Sequence, residues 1–485
     1  MYTISNVKLY IDGQWRNGSA SRALPIKNPA TNEIMAEVAC AEPDDIEEAA
    51  TAAARAFQDW RKTSVFERYG VMRKAAQLLR ERVDVIAAYM TMEQGKPLVE
   101  SRMEIMASAD TIDWFAEEGR RAYGRVIPPR RPDVYQLVVR EPVGPVAAFA
   151  PWNFPVQQIT RKLSAALAAG CSIVVKAAEE TPASSSELIL AFADAGVPKG
   201  VVNLVFGDPA AISSQLISHP SIRKVSFTGS TRVGKLLAAE AGRHMKRITL
   251  ELGGHAPVIV FNDADIQLAA KTMVTSKFRN CGQVCVSPTR FLIQEDVYEK
   301  FVEVFLGATR NLKVGNGLDD GVNMGPMANP RRVSAMEEFV GDAEQLQARI
   351  LLGGSANEGK GNYWQPTVIG DLPVASRAMT EEPFGPLAIM NRFKHFDDAV
   401  NEANRLPYGL AAYAWTRSAK TAQQIAANVE TGMISINHLG LGFPETPWGG
   451  VKDSGYGTEA GMEGLEAYLT PKFVTQLGLS DPGMS

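Results

Sequence analysis

The feature that most limits the fold is the alternation of short apolar runs with helical segments between residues 145 and 250. Apolar β runs joined by helices predict right-handed βαβ units and a parallel sheet whose two faces are covered by helices. We therefore predict an α/β fold in this part of the chain. The predicted strands are 145–149, 172–176, 201–205, 223–227 and 247–250, and the predicted helices are 156–169, 184–195, 210–218 and 231–241.

The segments that follow these strands are the candidates for a binding site. Parallel sheets bind their ligands in the crevice outside the carboxyl ends of the strands. Each of the segments carries polar residues, glycine or proline, which suits a loop that contacts a ligand. The segments are 150–155, 176–179, 206–208, 228–230 and 251–254.

The remaining sequence predicts further elements around this sheet. A hairpin is predicted at 7–15, followed by three long helices whose patterns indicate only packing. A second α/β region is predicted over about 256–450, and apolar β runs at 135–140 and 465–477 are predicted to add strands to a neighbouring subunit. The three helices are expected at about 46–60, 64–94 and 98–123.

Composition limits the class of protein. The 485 residues are 45% hydrophobic and 21% charged, which is ordinary for a globular protein of two or three domains. A net charge of −4 gives no basic surplus for nucleic acid. Four cysteines indicate a reducing compartment, and the five histidines lie too far apart for a metal site.

No apolar run approaches the roughly 18 residues of a membrane span. No secretory signal is evident at Met1–Ser5, so we expect a cytoplasmic protein without a membrane partner.

A thiol is the candidate nucleophile. Cys281 and Cys285 lie where a predicted helix from about Ala264 gives way to a strand at 289–293. Each cysteine is equally compatible with a buried, chemically inert role, so the residues alone leave the choice open.

Two other strand-end residues have suitable chemistry. Glu251 can act as a general base if it faces an apolar cleft, and Asn153 can donate its amide to an oxyanion. Both residues are also compatible with a purely structural role.

The other strand ends suit a nucleotide. Backbone amides of Gly229 and Ser230, at the start of a helix, suit a diphosphate. Lys176 and Glu179 suit ribose hydroxyls, and the carboxylate would repel a 2′-phosphate, which favours NAD over NADP.

The sequence of residues 229–235 is also close to that of a phosphate-binding loop, so an NTPase is a remote alternative. Leu236 opposes it, because Mg²⁺ coordination needs serine or threonine at that position.

Several motifs together resemble the aldehyde dehydrogenase superfamily over essentially the whole chain. They are Pro151-Trp152-Asn153-Phe154-Pro155, Phe227-Thr228-Gly229-Ser230, Leu250-Glu251-Leu252-Gly253-Gly254, 278–285 and Glu382-Pro383-Phe384-Gly385-Pro386. The resemblance implies an NAD-binding domain, a catalytic domain and a small β oligomerisation element in a homodimer or homotetramer. The expected bounds are 1–122 with 143–254 for the first domain, 255–455 for the second, and 123–142 with 465–485 for the oligomerisation strands.

The resemblance also implies roles for single residues. Cys285 would be the nucleophile, because the family's thiol lies two residues after Gln283, and Glu251 would activate the hydrolytic water. Asn153 and the Cys285 amide would form the oxyanion hole. The residues expected around the cofactor are Trp152, Lys176, Glu179, Ser230, Leu252, Glu382 and Phe384, with Lys162 and Glu459 at positions linked to proton relay.

The expected substrate is a short carboxylated aldehyde, oxidised to the dicarboxylic acid. Arg161 and Arg279 match arginines that hold the distal carboxylate in succinate-semialdehyde dehydrogenases. Gly442 stands where that subfamily has a serine. His255 makes the sequence more similar to α-ketoglutaric semialdehyde dehydrogenases. Either ω-oxo acid is therefore a candidate, and an aldehyde dehydrogenase for aliphatic or cationic aldehydes is the alternative.

Overall fold

The computed structural model describes residues 2–478. Its first part contains two β-hairpins, four helices and two further strands. In chain order these are β1 (Leu9–Ile11), β2 (Gln14–Arg16), β3 (Ala23–Lys27), β4 (Ile34–Ala39), α1 (Pro43–Trp60), α2 (Val65–Glu81), α3 (Val83–Gln94), α4 (Leu98–Gly119), β5 (Arg125–Ile127) and β6 (Val134–Pro142).

Two expectations for this part are corrected, and one hairpin was missed. The single helix predicted over 64–94 is two helices, because Arg82 leaves the helical conformation at φ −99°, ψ 8°. No proline or glycine marks that break in the sequence. The third helix ends at Gly119 rather than near Tyr123, and the hairpin of β3 and β4 was not predicted.

The next part contains the predicted alternation of strands and helices. Its elements are β7 (Val146–Phe149), α5 (Pro155–Ala169), β8 (Ile173–Lys176), α6 (Pro182–Ala195), β9 (Val202–Val205), α7 (Pro209–Ser218), β10 (Lys224–Thr228), α8 (Thr231–Arg243) and β11 (Arg247–Glu251). All residues of β7 to β10 are buried, as expected for strands covered on both faces.

The remaining elements form a second α/β region and the end of the chain. They are β12 (Ala256–Val260), α9 (Ile266–Phe278), β13 (Pro288–Gln294), α10 (Tyr298–Arg310), α11 (Pro330–Gln345), β14 (Arg349–Leu352), β15 (Thr367–Gly370), β16 (Leu387–Phe393), α12 (Phe396–Asn404), β17 (Tyr408–Gly409), β18 (Ala411–Trp415), α13 (Ala419–Asn428), β19 (Met433–Ile436), β20 (Val451–Lys452), β21 (Gly455–Tyr456), α14 (Gly461–Glu466) and β22 (Leu469–Leu477).

Two large sheets organise these elements. The first has the order β2-β1-β9-β8-β7-β10-β11-β21, with parallel pairing from β9 to β11. The second has the order β14-β15-β16-β13-β12-β18-β19 and is parallel except for β14. Each sheet has its own large buried apolar cluster, so the α/β class predicted from the sequence is confirmed.

The first sheet has a topological switch point. The chain runs from β7 to β8 and β9 on one side and then returns to place β10 on the other side of β7. The loops after β7 and β10 therefore diverge and leave a crevice between them at the carboxyl edge of the sheet. This crevice holds the segments 150–155 and 228–230.

A smaller sheet has the order β22-β6-β5. β22 pairs along the whole length of β6, and Tyr135, Phe473 and Leu477 are exposed on it. The apolar run predicted from residue 465 begins later, because α14 continues to Glu466. The end of the expected oligomerisation segment, 479–485, lies outside the described residues. Within 2–478, no helix is both long and apolar enough to cross a membrane.

Candidate active site

A cavity of about 460 Å³ lies between α4, α5 and α9, and Cys285 forms part of its wall. Helical spacing explains which side chains reach it. From α5 and the residue before it, Phe154, Gln157, Gln158 and Arg161 share one face. A second wall is built from α4, and Leu441, Gly442 and Trp448 of the loop 438–455 close one side.

The loop between α9 and β13 contains both cysteines and places them in different environments. Asn280 and Cys281 have left-handed backbones with φ of 48° and 54°, and Gly282 follows at 68°. A Cβ on Gly282 would lie 2.1 Å from the carbonyl oxygen of Gly385, so this close approach requires glycine. The turn buries Cys281 in the core at 1% exposure and leaves Cys285 on the cavity wall.

The Cys285 thiol is protonated in this environment. Burial raises its pKa to about 12, with Glu382 adding to the rise and Arg161 and Arg279 opposing it. A thiolate forms here only if a nearby base takes the proton.

Glu251 is the candidate for the base that takes the Cys285 thiol proton. It ends β11 at 2% exposure, and neither carboxylate oxygen accepts a hydrogen bond of good geometry from the described residues. Burial raises the pKa of Glu251 well above its usual value, and Glu459 raises it further, while Lys162, Arg161 and the Trp448 indole oppose the rise. A carboxylate with a raised pKa is a better proton acceptor than an exposed one.

Lys162 and Glu459 form a buried ion pair next to Glu251. Lys162 Nζ lies 2.5 Å from Glu459 Oε1 and donates to Thr228 Oγ1 at 2.6 Å. Ser226 donates to the same glutamate oxygen at 3.0 Å. The pair therefore links α5 and β10 to the segment that follows the closing loop.

Asn153 is held against the cysteine loop. Its Nδ2 donates to the carbonyl oxygen of Gln283 at 3.0 Å, and its own carbonyl oxygen accepts from Asn280 Nδ2 at 2.9 Å. The amide of Asn153 and the backbone preceding Cys285 are thus fixed relative to each other, as an oxyanion site requires.

Residues from α3 and α4 support this arrangement, although their patterns predicted only packing. Lys96 Nζ donates to the Asn153 carbonyl oxygen at 2.8 Å and lies 2.6 Å from Glu104 Oε2. Gln94 Nε2 donates to Asn280 Oδ1 at 2.8 Å. The one local sign of this arrangement in the sequence was the interruption at Gly95–Pro97, between the helices predicted at 64–94 and 98–123.

The expected ribose and diphosphate residues line the carboxyl edge of the first sheet. Lys176 ends β8, and its Nζ lies 2.8 Å from Glu179, whose other oxygen accepts from the Gly207 amide at 2.9 Å. Gly229 and Ser230 follow β10, and Ser230 caps α8 with its hydroxyl. The Gly229 amide donates to the carbonyl oxygen of Glu251 at 3.0 Å and is therefore not free for a diphosphate, whereas the start of α8 at Ser230 lies beside the crevice.

The second region brings Glu382 and Phe384 to the same crevice. Glu382 accepts from the Gly254 amide at 3.2 Å, and a Cβ on Gly253 would lie 2.5 Å from its other oxygen. Burial raises the pKa of Glu382 to about 7. Phe384 packs edge-on against Trp152 with ring centroids 5.6 Å apart. A further expected cofactor residue, Leu252, packs against α8 at Gly234.

These groups fit a dinucleotide. Helix amides suit the diphosphate, carboxylates of Glu179 and Glu382 suit ribose hydroxyls, and the two rings offer an apolar flank for a flat base. Lys235 is engaged by Asp453 at 2.6 Å, which argues against a phosphate-binding NTPase loop. No group of His, Cys, Asp or Glu within 2–478 is arranged to hold a metal ion.

The two substrate arginines both line the cavity but differ in burial. Arg161 is 7% exposed, its Cζ lies 4.0 Å from the Trp448 ring centroid, and its enclosed Nη1 has no hydrogen-bond partner among residues 2–478. Arg279 is exposed, with its Cζ 5.8 Å from the Phe154 ring. Two acids, Glu100 and Glu104, also line the cavity.

Comparison with known proteins identifies the class. Residues 15–474 match the model of the aldehyde dehydrogenase family. The chain is 47% identical to a 4-(hydroxymethyl)benzenesulfonate dehydrogenase of Comamonas testosteroni, covering 96% of this chain and 97% of the relative. It is 41% identical to an NADP(+) succinate-semialdehyde dehydrogenase of Escherichia coli, covering 96% of each. A crystal structure of succinate-semialdehyde dehydrogenase from Burkholderia pseudomallei superposes with a TM-score of 0.95 at 39% identity, covering 97% of this chain and 98% of that one.

The chain belongs to the aldehyde dehydrogenase family. The predicted aldehyde dehydrogenase fold and the predicted oxidoreductase class are both confirmed. The family oxidises small aldehydes with NAD(P), which agrees with the cofactor type expected from the strand ends.

Proposed function

We propose that this enzyme oxidises a small aldehyde carrying an anionic group at its far end, and that Cys285 is the nucleophile. The observation that carries the proposal is Arg161. No carboxylate of residues 2–478 pairs directly with Arg161, although Glu459 and Glu251 stabilise its charge through space, so a buried guanidinium remains that a bound anion can pair with. Arg161 lies in the same cavity as Cys285, so a substrate anion bound there aims its aldehyde at the thiol.

The first half of the reaction is acylation of the thiol. Glu251 accepts the thiol proton, and the thiolate adds to the aldehyde carbon to give a thiohemiacetal oxyanion. The Asn153 amide and the Cys285 backbone amide donate hydrogen bonds to that oxyanion. A nicotinamide cofactor, which Glu179, Glu382 and Phe384 would hold at the crevice, would supply the hydride acceptor, and loss of hydride from the former aldehyde carbon leaves a thioester on Cys285.

The second half is hydrolysis. Glu251 first gives up the thiol proton, and the freed carboxylate then takes a proton from water as the water attacks the thioester carbonyl. The C–S bond breaks, which releases the acid and the Cys285 thiolate. The adjacent Lys162–Glu459 pair offers a route by which that proton leaves the buried carboxylate.

The cofactor is proposed to be NAD rather than NADP. Glu179 is held by Lys176 and by the Gly207 amide, so its carboxylate is fixed beside the carboxyl end of β8, and there it would accept from the ribose hydroxyls of a bound dinucleotide. A fixed negative charge at that point disfavours the additional phosphate.

The distal anion is proposed to be a carboxylate or a sulfonate. Relatives named for succinate semialdehyde and for 4-(hydroxymethyl)benzenesulfonate support these two chemistries. A volume of about 460 Å³ exceeds the needs of a four-carbon chain, and Phe154, Phe278 and Trp448 give the cavity aromatic walls. These observations favour an aromatic anionic aldehyde as the second candidate beside the ω-oxo acids.

A cationic aldehyde is the alternative that the two cavity acids would favour. Glu104 is already paired with Lys96 and accepts from the amides of Val156 and Gln157. Burial raises the pKa of Glu100 to about 7, which removes much of its negative charge near neutrality. A site for a cationic aldehyde would need a free carboxylate whose negative charge outweighs the positive charge of Arg161. Neither Glu100 nor Glu104 provides one.

Replacement of Arg161 by methionine tests the anion site. We expect kcat/KM to fall about 10²-fold for succinate semialdehyde, α-ketoglutarate semialdehyde and 4-formylbenzenesulfonate, since loss of a buried charge partner has an effect of this order. Butanal and benzaldehyde should change much less. The measurement is initial rates of reduced cofactor formation with NAD and, in parallel, with NADP.

Arg279→Met is the matched control for that experiment. It removes an arginine from the exposed rim of the same cavity, so the expected loss is small. A wild-type enzyme that oxidises butanal as well as the anions, or an Arg161 variant that keeps its preference, would refute the anion site. Faster turnover with NADP would refute the cofactor preference.

The sheet of β22, β6 and β5 is proposed as a contact between copies of the chain. It presents an unpaired strand edge with exposed Tyr135, Phe473 and Leu477, which suits pairing with another subunit. We expect a dimer or a dimer of dimers by light scattering, dissociated by Phe473→Lys, and a monomeric wild type would contradict this. The domain bounds 1–122 with 143–254, and 255–455, stay a prediction that the two separate sheets support.

A further inference from the structure

Gln158 has an unused amide in the substrate cavity. The residue is 4% exposed, and no atom of its side chain takes part in a hydrogen bond within residues 2–478. Its Oε1 is enclosed, which leaves the Nε2 amino group as the part of the amide that faces the cavity. The Nε2 group donates to no acceptor among the described residues, so an oxygen of a ligand in the cavity can accept from it.

Gln158 lies one helical turn before Arg161 on α5. Residues three apart on a helix are neighbours on its surface, displaced by about 4.5 Å along the axis. Arg161 is itself held in one orientation, because its guanidinium stacks on the Trp448 ring at 4.0 Å. The cavity therefore contains a guanidinium edge and, from a second direction, an amide donor.

The closing loop leaves space around this pair. Gly442 has φ 89°, and a Cβ placed on it would lie 3.0 Å from Trp448 and 3.7 Å from Arg161 Nη2. A side chain at that position would crowd the indole and occupy the region in front of the guanidinium. Glycine keeps that region open for a bulky anion.

The shape of the anion decides whether it can use both donors. A carboxylate has two oxygens in one plane, and hydrogen bonds to it are best within that plane, where a guanidinium fork binds. A sulfonate has three oxygens in a tetrahedral arrangement, so one of them points away from the fork. That third oxygen matches a donor on an adjacent position of the helix.

We propose that Gln158 donates a hydrogen bond to the third oxygen of a substrate sulfonate held by Arg161, and so gives the site a preference for sulfonated over carboxylated aldehydes. This assignment rests on the proposed function of the same cavity. It makes Gln158 a specificity-determining residue, whereas Arg161 selects for negative charge of either kind.

Matched substrates test this assignment. 4-Formylbenzenesulfonate and 4-formylbenzoate share ring, length and charge and differ in the geometry of the anion, and benzaldehyde lacks the anion. In Gln158→Met the ratio of kcat/KM for sulfonate to that for carboxylate should fall about tenfold to a hundredfold, the range for a hydrogen bond to a charged group. The value for benzaldehyde should stay within about twofold, because no distal group reaches position 158.

Gln157→Met is the control. Gln157 is the next residue of the same helix and also lines the cavity, but its amide is already used by Ser108 and Thr111. Its replacement should leave the sulfonate-to-carboxylate ratio unchanged. If the methionine variant at 158 does not fold, Gln158→Leu decides by the same ratio, because it also removes the donor and adds no charge beside Arg161.

The outcomes separate this inference from the proposed function. Equal losses for both anions in Gln158→Met, or no loss for either, would overturn the role of Gln158 and leave the anion site intact. Benzaldehyde turnover by the wild type at the rate of both anions would instead refute the proposed function itself. A ratio that falls at 158 and not at 157 supports the assignment.

Discussion

Replacing Cys285 by serine is expected to lower kcat by at least about 10⁴-fold while the protein still folds and binds its cofactor, since loss of a catalytic nucleophile has effects of this order. A serine hydroxyl ionises far less readily than a thiol, and Glu251 is too weak a base to generate an alkoxide from it. The measurement is the steady-state rate of reduced cofactor formation at saturating substrate, with the thermal midpoint recorded in parallel.

Cys281→Ser is the matched control, because it makes the same chemical change four residues earlier in the same loop. Cys281 is 1% exposed and packs in the core of the second region, so the variant should lose some stability and keep most of its turnover. If Cys281→Ser abolished turnover and Cys285→Ser retained it, the assignment of the nucleophile would be wrong.

The sequence predicted the first sheet well, because burial on both faces imposes apolar runs that are visible without neighbours. The observed strands β7 to β11 begin and end within about a residue or two of the predicted bounds, the precision expected for such patterns. The break at Arg82 was missed, since a change of helix direction without proline or glycine leaves the 3.6-residue period intact.

The supporting shell of the site lay beyond the reach of local patterns. Gln94 and Asn280 are 186 positions apart, and their hydrogen bond exists only because the α3–α4 junction packs against the cysteine loop. The same applies to the two arginines, which look equivalent in sequence. Packing under Trp448 buries Arg161 and leaves its Nη1 without a hydrogen-bond partner among residues 2–478, whereas Arg279 stays at the rim.

Replacing Glu251 by glutamine is expected to separate the two halves of the reaction. The slowest step should become hydrolysis of the thioester, with turnover lowered about 10²- to 10⁴-fold, the range for loss of a general base. Because Glu251 also takes the thiol proton, the burst of reduced cofactor should form more slowly than in the wild type. It should still approach one equivalent per site, since hydrolysis, which needs an activated water, stays the slower step. Rapid mixing with an anionic aldehyde measures the burst and the slow phase together.

The pH dependence of the slow phase identifies the carboxylate as the base, and a second buried glutamate serves as the control. Because burial raises the pKa of Glu251, hydrolysis by the wild type should accelerate with rising pH as this group loses its proton, and Glu251→Gln should lose that dependence. Glu93→Gln changes a carboxyl group whose pKa burial also raises, to about 7, but Glu93 accepts from the Ala183 and Ser184 amides, away from the cavity. That variant should lower the thermal midpoint and keep the wild-type pH profile.

A Glu251 variant that turned over at the wild-type rate without a burst would show that another group activates the water. Glu459, the acid paired with Lys162, would then be the next residue to replace.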